Sequence, residues 1–276
     1  MQIRQASSPR ETAGMNAGTL RKEFLVDDLF QSGQIRLTYS HYDRMIAGGV
    51  VPVTGTTPLE APTELRAGFF LERRELGIIN IGGSGIVSAS GQEYLLHKRD
   101  CLYLGKGTDP VQFKSRDAGD PARFFLLSAP AHRVCPNGFM AATDANPNRL
   151  GAANTANDRT IYKYIHPDGI ESCQLVMGLT VLENGSVWNT MPPHTHDRRM
   201  EVYCYFDLPQ GQRVLHLMGQ PDETRHLWVA DGQAVISPPW SIHAGCGTMA
   251  YSFIWGMAGE NQAFTDMDQI ATASLL

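Results

Sequence analysis

Met191-Pro192-Pro193-His194-Thr195-His196-Asp197-Arg198-Arg199-Met200-Glu201-Val202-Tyr203 is the stretch on which the reading of this chain turns. His194 and His196 are two apart, so on a strand both imidazoles leave the same face. Glu201 lies five residues beyond His196, an odd offset that an unbroken strand would aim at the opposite face. The polar segment Asp197-Arg198-Arg199 supplies a turn that reverses the chain and returns Glu201 to the same interior. Beyond it, Glu201, Tyr203 and Tyr205 share one face of the next strand, and Val202, Cys204 and Phe206 share the other. About forty residues further on, Ser237-Pro238-Pro239-Trp240-Ser241-Ile242-His243-Ala244-Gly245 marks a proline turn after one strand and places His243 at the opening of the next. Three neutral imidazoles and one carboxylate make a site for a borderline divalent metal such as Zn, Fe, Mn or Ni.

The surroundings are strand-rich. Gln34-Ile35-Arg36-Leu37-Thr38-Tyr39 alternates apolar and polar side chains, Arg213-Val214-Leu215-His216-Leu217 and Gly232-Gln233-Ala234-Val235-Ile236-Ser237 are short and β-branched, and Ala122-Arg123-Phe124-Phe125-Leu126-Leu127 is continuous enough for a strand covered on both sides. With 27 Gly and 16 Pro the breaks are frequent, so the pattern predicts a mainly all-β protein of the jelly-roll kind with a few short helices. Leu20–Val26 and Thr265–Ile270 are the candidate helices. The loop-rich stretch 136–158, with Asn137-Gly138 and Asp144-Ala145-Asn146-Pro147, is the expected boundary. Two β-barrel domains follow, 1–140 without metal and 141–276 with it. Both use a glycine turn, a short strand and a reversal, as after an old duplication. A pair of histidines separated by one residue, four residues, a glutamate and then a distant PxxxxH is the arrangement of cupin barrels. His41, His97 and His132 have no paired spacing, and His216 and His226 read as structural.

Composition excludes several classes. Lys plus Arg (23) against Asp plus Glu (28) leaves a net charge of −5, and the basic runs Glu72-Arg73-Arg74-Glu75 and Asp197-Arg198-Arg199 are short and carry acids, so no nucleic-acid partner is expected. No apolar run approaches the roughly 18 residues that cross a bilayer, and the N-terminus has no hydrophobic signal core. Five cysteines, odd in number and without a CxxC pair, read as reduced thiols in a cytoplasmic protein. Gly82-Gly83-Ser84-Gly85 does not match a dinucleotide fingerprint and reads as a hairpin turn.

His194-Thr195-His196-Asp197-Arg198-Arg199-Met200-Glu201-Val202-Tyr203 resembles the signature of the 5-keto-4-deoxyuronate isomerase family, the 4-deoxy-L-threo-5-hexosulose-uronate ketol-isomerases. The resemblance extends through Phe70–Gly77, Leu102–Gly107, Cys173–Thr180, Val187–Pro192, Met218–Pro221, Trp240–His243 and Phe253–Met257, almost the whole chain. Cys204, where the family has an aromatic, and Asp197, where Glu is common, depart from it without touching a proposed ligand. The resemblance implies a cytoplasmic bacterial enzyme of pectin and uronate breakdown, two cupin barrels, one Zn per subunit, a homohexamer, and metal ligation by His194, His196, Glu201 and His243.

The implied reaction exchanges the oxidation levels of C1 and C2 of an open-chain 4-deoxy-5-keto-uronate, giving 3-deoxy-D-glycero-2,5-hexodiulosonate. It needs a proton carried between two carbons while charge builds on oxygen. Lys163, Tyr203 and Tyr251, with His166 nearby in sequence, are the candidates for moving the proton, and Gln174 is a candidate for orienting an oxygen. Lys163, Arg199 or Arg225 would hold the substrate carboxylate. The plainer readings are a solvated turn for Arg198 and Arg199 and barrel packing for Tyr203 and Tyr251. Two other functions use the same ligands: a dioxygenase with Fe or Mn, and a non-catalytic sugar-binding cupin.

Overall fold

All 276 residues are described by a computed structural model, and strands dominate it. The chain forms two compact units. The first comprises residues 1–4, 28–146 and 163–177. Its larger sheet has seven strands in the order Gln2–Arg4, Ile35–Ser40, Ile46–Val50, Phe124–Pro130, Arg74–Asn80, Cys101–Leu104 and Gly138–Met140. Its smaller sheet has four: Thr57–Pro58, Val111–Ser115, Gly85–Ala89 and Gln92–Leu96. Alternate residues of the two sheets, among them Leu76, Ile78, Val87, Leu104, Phe113 and Phe124, form one apolar core.

The second unit repeats the plan. Its seven-stranded sheet runs Asn148–Leu150, Arg159–Ile165, Val176–Leu182, Ser252–Gly259, Arg199–Phe206, Ala234–Ser237 and Leu25–Val26. The four-stranded one runs Trp188–Asn189, Ala244–Gly247, Val214–Gln220 and Glu223–Val229. Arg74–Asn80 and Arg199–Phe206 are each fifth in their larger sheet. Leu76 faces Leu104, the last residue of the neighbouring strand, as Glu201 faces Ser237, the last residue of its own neighbour.

The units do not divide at one break after residue 140, as the sequence predicts. Residues 5–27 group with the second unit and residues 163–177 with the first. Hydrogen bonding explains both exchanges. Leu25 and Val26 pair with Val235 and Ala234, and the Arg225 guanidinium donates to the carbonyls of Thr12, Ala13 and Met15 at the end of the first helix. In the first unit the fully buried Glu75 carboxylate accepts from the backbone N–H groups of Cys173, Gln174 and Leu175 at 2.6–2.8 Å and from the Tyr103 hydroxyl at 2.6 Å. A buried charge is tolerated because every bond it needs is made.

The two helices are short. α1 (Pro9–Ala13) opens on a capping box in which Ser8 accepts from the Glu11 N–H and the Glu11 carboxylate accepts from the Ser8 N–H, with proline in the first turn. α2 (Ala17–Phe24) is capped by Asn16 and buries Leu20 and Phe24, one turn apart. It starts three residues before the predicted Leu20, and Leu25–Val26 leave it as an edge strand. No helix forms over Thr265–Ile270. Asp268–Gln269 instead pair antiparallel with His194–Thr195, because six residues recover too few helical bonds to offset nucleation when a strand partner is at hand.

Candidate metal centre

The turn between His196 and Glu201 is built as its polar residues require. Asp197 and Arg198 reverse the chain, the Arg199 N–H donates to the His196 carbonyl at 3.1 Å, and Arg199 opens the next strand. Glu201, Tyr203 and Tyr205 then point into the second barrel. His194 is held by the short ladder to Asp268–Gln269 and by an Ile270 N–H bond to the Pro193 carbonyl. His243 follows the proline turn, where the Ser241 N–H donates to the Pro238 carbonyl at 3.0 Å.

The donor atoms of His194, His196, Glu201 and His243 all lie within 4.8 Å of one another. One Glu201 carboxylate oxygen stands 3.1 Å from His196 Nε2 and 2.9 Å from His243 Nε2, and His243 Nε2 stands 3.0 Å from His194 Nε2. His196, Glu201 and His243 are buried, and His194 is half-buried on the open side. The outer nitrogens are tied back: His196 Nδ1 lies 2.9 Å from the Arg199 carbonyl, and His243 Nδ1 is 3.3 Å from the Ser241 carbonyl. Donation to these carbonyls places both protons on Nδ1 and turns the Nε2 lone pairs inward, the outer support that metal-binding histidines use.

Electrostatics agrees. Burial, reinforced by His243, pushes the His194 imidazole down to about 3, so it is neutral and its lone pair is available. Burial works against ionising Glu201, but His243 and His196 outweigh it and hold the carboxyl well below the usual range. Burial also disfavours charging His196, yet the Glu201 carboxylate leaves its pKa above the ordinary imidazole value. Three nitrogens and one anionic oxygen, converging where water is scarce, fit a borderline divalent cation.

The remaining predicted residues scatter. Arg199 is not in a solvated turn. It is 1% exposed, donates from Nη1 to both Asp266 carboxylate oxygens at 2.8 Å, and keeps Nε and Nη2 without protein partners. Arg198 reaches the Asp266 carbonyl and the Asp268 carboxylate. Tyr203 lies against His243, ring centroids 5.4 Å apart, and pairs its hydroxyl with Thr190 at 3.0 Å. Tyr251 accepts from the Asn189 amide at 2.6 Å. Burial raises both phenols well above their ordinary pKa, which favours the protonated form.

Lys163 lies on the strand Arg159–Ile165, in the part of it that groups with the first unit, as does Gln174. Lys163 is exposed and the Gln174 amide donates to the Pro130 carbonyl. His166 accepts from the Asp168 N–H at 3.3 Å. Arg225 is committed to the carbonyls that end α1. Strand parity in the sequence cannot reveal such partners, which come from segments distant along the chain. Asn189, Tyr205 and His216, which do line the interior, went unassigned to the site. The available signal was a histidine at an inward position of the alternating strand Val214–Gln220.

Residues 24–273 match the family model described as the KduI/IolB family. A 4-deoxy-L-threo-5-hexosulose-uronate ketol-isomerase of Shouchella clausii is 53% identical over 275 residues, covering all of both chains. Among solved structures, an IolB-like protein of Salmonella typhimurium superposes with a TM-score of 0.73 at 15% identity, covering 90% of this chain and 96% of that one. Bacillus subtilis oxalate decarboxylase, a protein whose Mn(II) centres have been studied, does so with a TM-score of 0.56 at 11% identity, covering 81% and 71%. These two likenesses support the cupin-type double barrel.

Proposed function

The chain belongs to the KduI/IolB family, and from that premise we propose that it is a metal-dependent ketol-isomerase converting an open-chain 4-deoxy-5-keto-uronate to 3-deoxy-D-glycero-2,5-hexodiulosonate in pectin and uronate breakdown. The observation that carries this reading is the convergence of three imidazoles and a buried ionised carboxylate in the second barrel of a chain half identical, end to end, to a named ketol-isomerase. His194, His196, Glu201 and His243 would hold one Zn, which as a Lewis acid without redox chemistry stabilises negative charge on the substrate's oxygens.

The chain's own side chains do the rest. Tyr203, packed on His243 and paired with Thr190, brings its hydroxyl to the edge of the cluster. Arg199, buried beside the cluster with two unpartnered nitrogens, is the cation placed to receive the substrate carboxylate. The half-buried edge of His194 gives access from solvent. In this reading the first barrel carries no metal, Leu76 standing where Glu201 stands, and the enzyme works as a cytoplasmic homohexamer, the assembly that the family resemblance implies.

Metal analysis of purified protein, followed by NMR of the deoxy-uronate with enzyme in deuterated water, tests the proposal. The expected result is about one zinc per subunit and conversion to the 2,5-diketo acid without oxygen uptake. Oxygen consumption with an iron- or manganese-dependent product, or binding with no turnover, would replace it with a dioxygenase or a sugar-binding protein. Light scattering reads the assembly.

A further inference from the structure

Beside the four-residue cluster, the second barrel holds a fully buried polar relay. Asn189 and His216 both pair with Gly245, from opposite sides, so the three residues form one row on one face of the four-stranded sheet. Gly245 leaves the room: a Cβ there would lie 2.8 Å from the Asn189 amide nitrogen and 3.0 Å from the Tyr205 hydroxyl. The Asn189 amide donates to Tyr251 at 2.6 Å and also to Tyr205. The Tyr205 hydroxyl keeps one hydrogen to give, and we infer that it goes to His216 Nδ1, 2.7 Å away, the pairing that leaves no hydroxyl hydrogen unused. Burial, reinforced by His243, lowers the His216 imidazole to about 3, so the ring is neutral. A neutral ring that accepts at Nδ1 carries its proton on Nε2. That nitrogen is buried and has no hydrogen-bond partner, and neither has Asn189 Oδ1 in the same row.

Unpaired buried polar atoms are rare because each forfeits its bonds to water. Two in one row are a site made for a polar guest. Its position relates it to the cluster: the Tyr203 ring touches both His243, at 5.4 Å between centroids, and His216, at 5.8 Å.

We propose that His216 is a substrate-binding residue, its neutral Nε2–H donating to an oxygen of the open-chain sugar acid whose reacting end lies at the four-residue cluster. This rests on the isomerase reading and deepens it. An open-chain deoxy-uronate bears oxygen on most of its carbons, so a donor one aromatic ring beyond His243 selects for length and oxygen pattern. The Asn189–Tyr205 relay fixes the tautomer that presents a donor rather than an acceptor.

Two measurements decide the matter. In the zinc-loaded enzyme, His216→Leu is expected to raise KM for the deoxy-uronate 10- to 100-fold with kcat little changed and zinc content intact. His216→Gln, which keeps an N–H of similar reach, recovers most of the loss. Independently of turnover, ¹⁵N NMR of the imidazoles places the His216 proton on Nε2, and Tyr205→Phe shifts that assignment. An unchanged KM in His216→Leu, loss of zinc or equal damage in both variants, or a proton on Nδ1 overturns the proposal. A wild-type enzyme that does not isomerise the deoxy-uronate defeats the functional reading, and this ligand with it, while the tautomer measurement still reports on the relay.

Discussion

Leu76 and Glu201 occupy the same place in two barrels built on one plan, and the difference between them separates a core from a site. Each follows an acidic residue and two arginines (Glu72-Arg73-Arg74, Asp197-Arg198-Arg199), and each lies opposite the last residue of the neighbouring strand. In the first barrel the next inward residue is Ile78, and the interior is apolar. In the second, Glu201 is followed by Tyr203 and Tyr205, and the facing sheet contributes His243 and His216. The strand architecture tolerates both because the ladder hydrogen bonds lie in the plane of the sheet and are indifferent to what projects from it. What the second barrel gives up in apolar burial it recovers in charge-assisted bonds around Glu201 and, with a cation present, in ligation. The first arginine of the paired strands shows the same divergence: Arg74 is spent on Ser128 and the Arg44 carbonyl, and Arg199 on Asp266 and Asn261 beside the cluster.

The sharpest way to break the comparison is to exchange the pair. Leu76→Glu places an unpaired carboxylate in an apolar interior and is expected to destabilise the protein by about 4 kcal/mol or more, read by chemical denaturation. The reverse change, Glu201→Leu, should leave the apo protein folded while zinc content and turnover fall by on the order of a thousandfold, read by metal analysis and product NMR. A Leu76→Glu variant of unchanged stability would show that the two interiors do not differ in this way. His194→Ala should lower zinc and turnover together, and retention of both would remove the proposed site.

Smaller effects sharpen the contrast. Glu75→Gln leaves the first unit's carboxylate hub without the charge that gathers three N–H groups and a tyrosine hydroxyl, costing about 2–3 kcal/mol with zinc content unchanged. Arg199→Met should expose the segment near Asp266 to limited proteolysis and weaken substrate binding roughly tenfold. Ser8→Ala, which removes the cap of α1, should cost about 1 kcal/mol and leave catalysis untouched.

The four cluster residues and the double-barrel plan are legible in the sequence because they rest on short-range regularities. Parity along a strand put His194 and His196 on one face, a polar turn returned Glu201 to it, and a proline turn introduced His243. Parity is silent on Lys163, Gln174 and Arg225: each is engaged or exposed in a place set by segments distant in sequence. Thr265–Ile270 failed for a related reason, since its pairing with His194–Thr195 is a contact across some seventy residues.

From sequence alone came the strand-rich class, the repeat of a turn-and-strand device, and the side chains able to hold a cation. Each follows from which residues alternate and which residues break a strand, and those are properties of neighbours along the chain. Tertiary structure alone decided that residues 5–27 and 163–177 change units, that Arg199 is buried against Asp266, and that His216 ends a relay with its Nε2–H unpaired. Those outcomes depend on burial and on hydrogen-bond partners brought together by folding, and no local pattern encodes a partner that lies a hundred residues away.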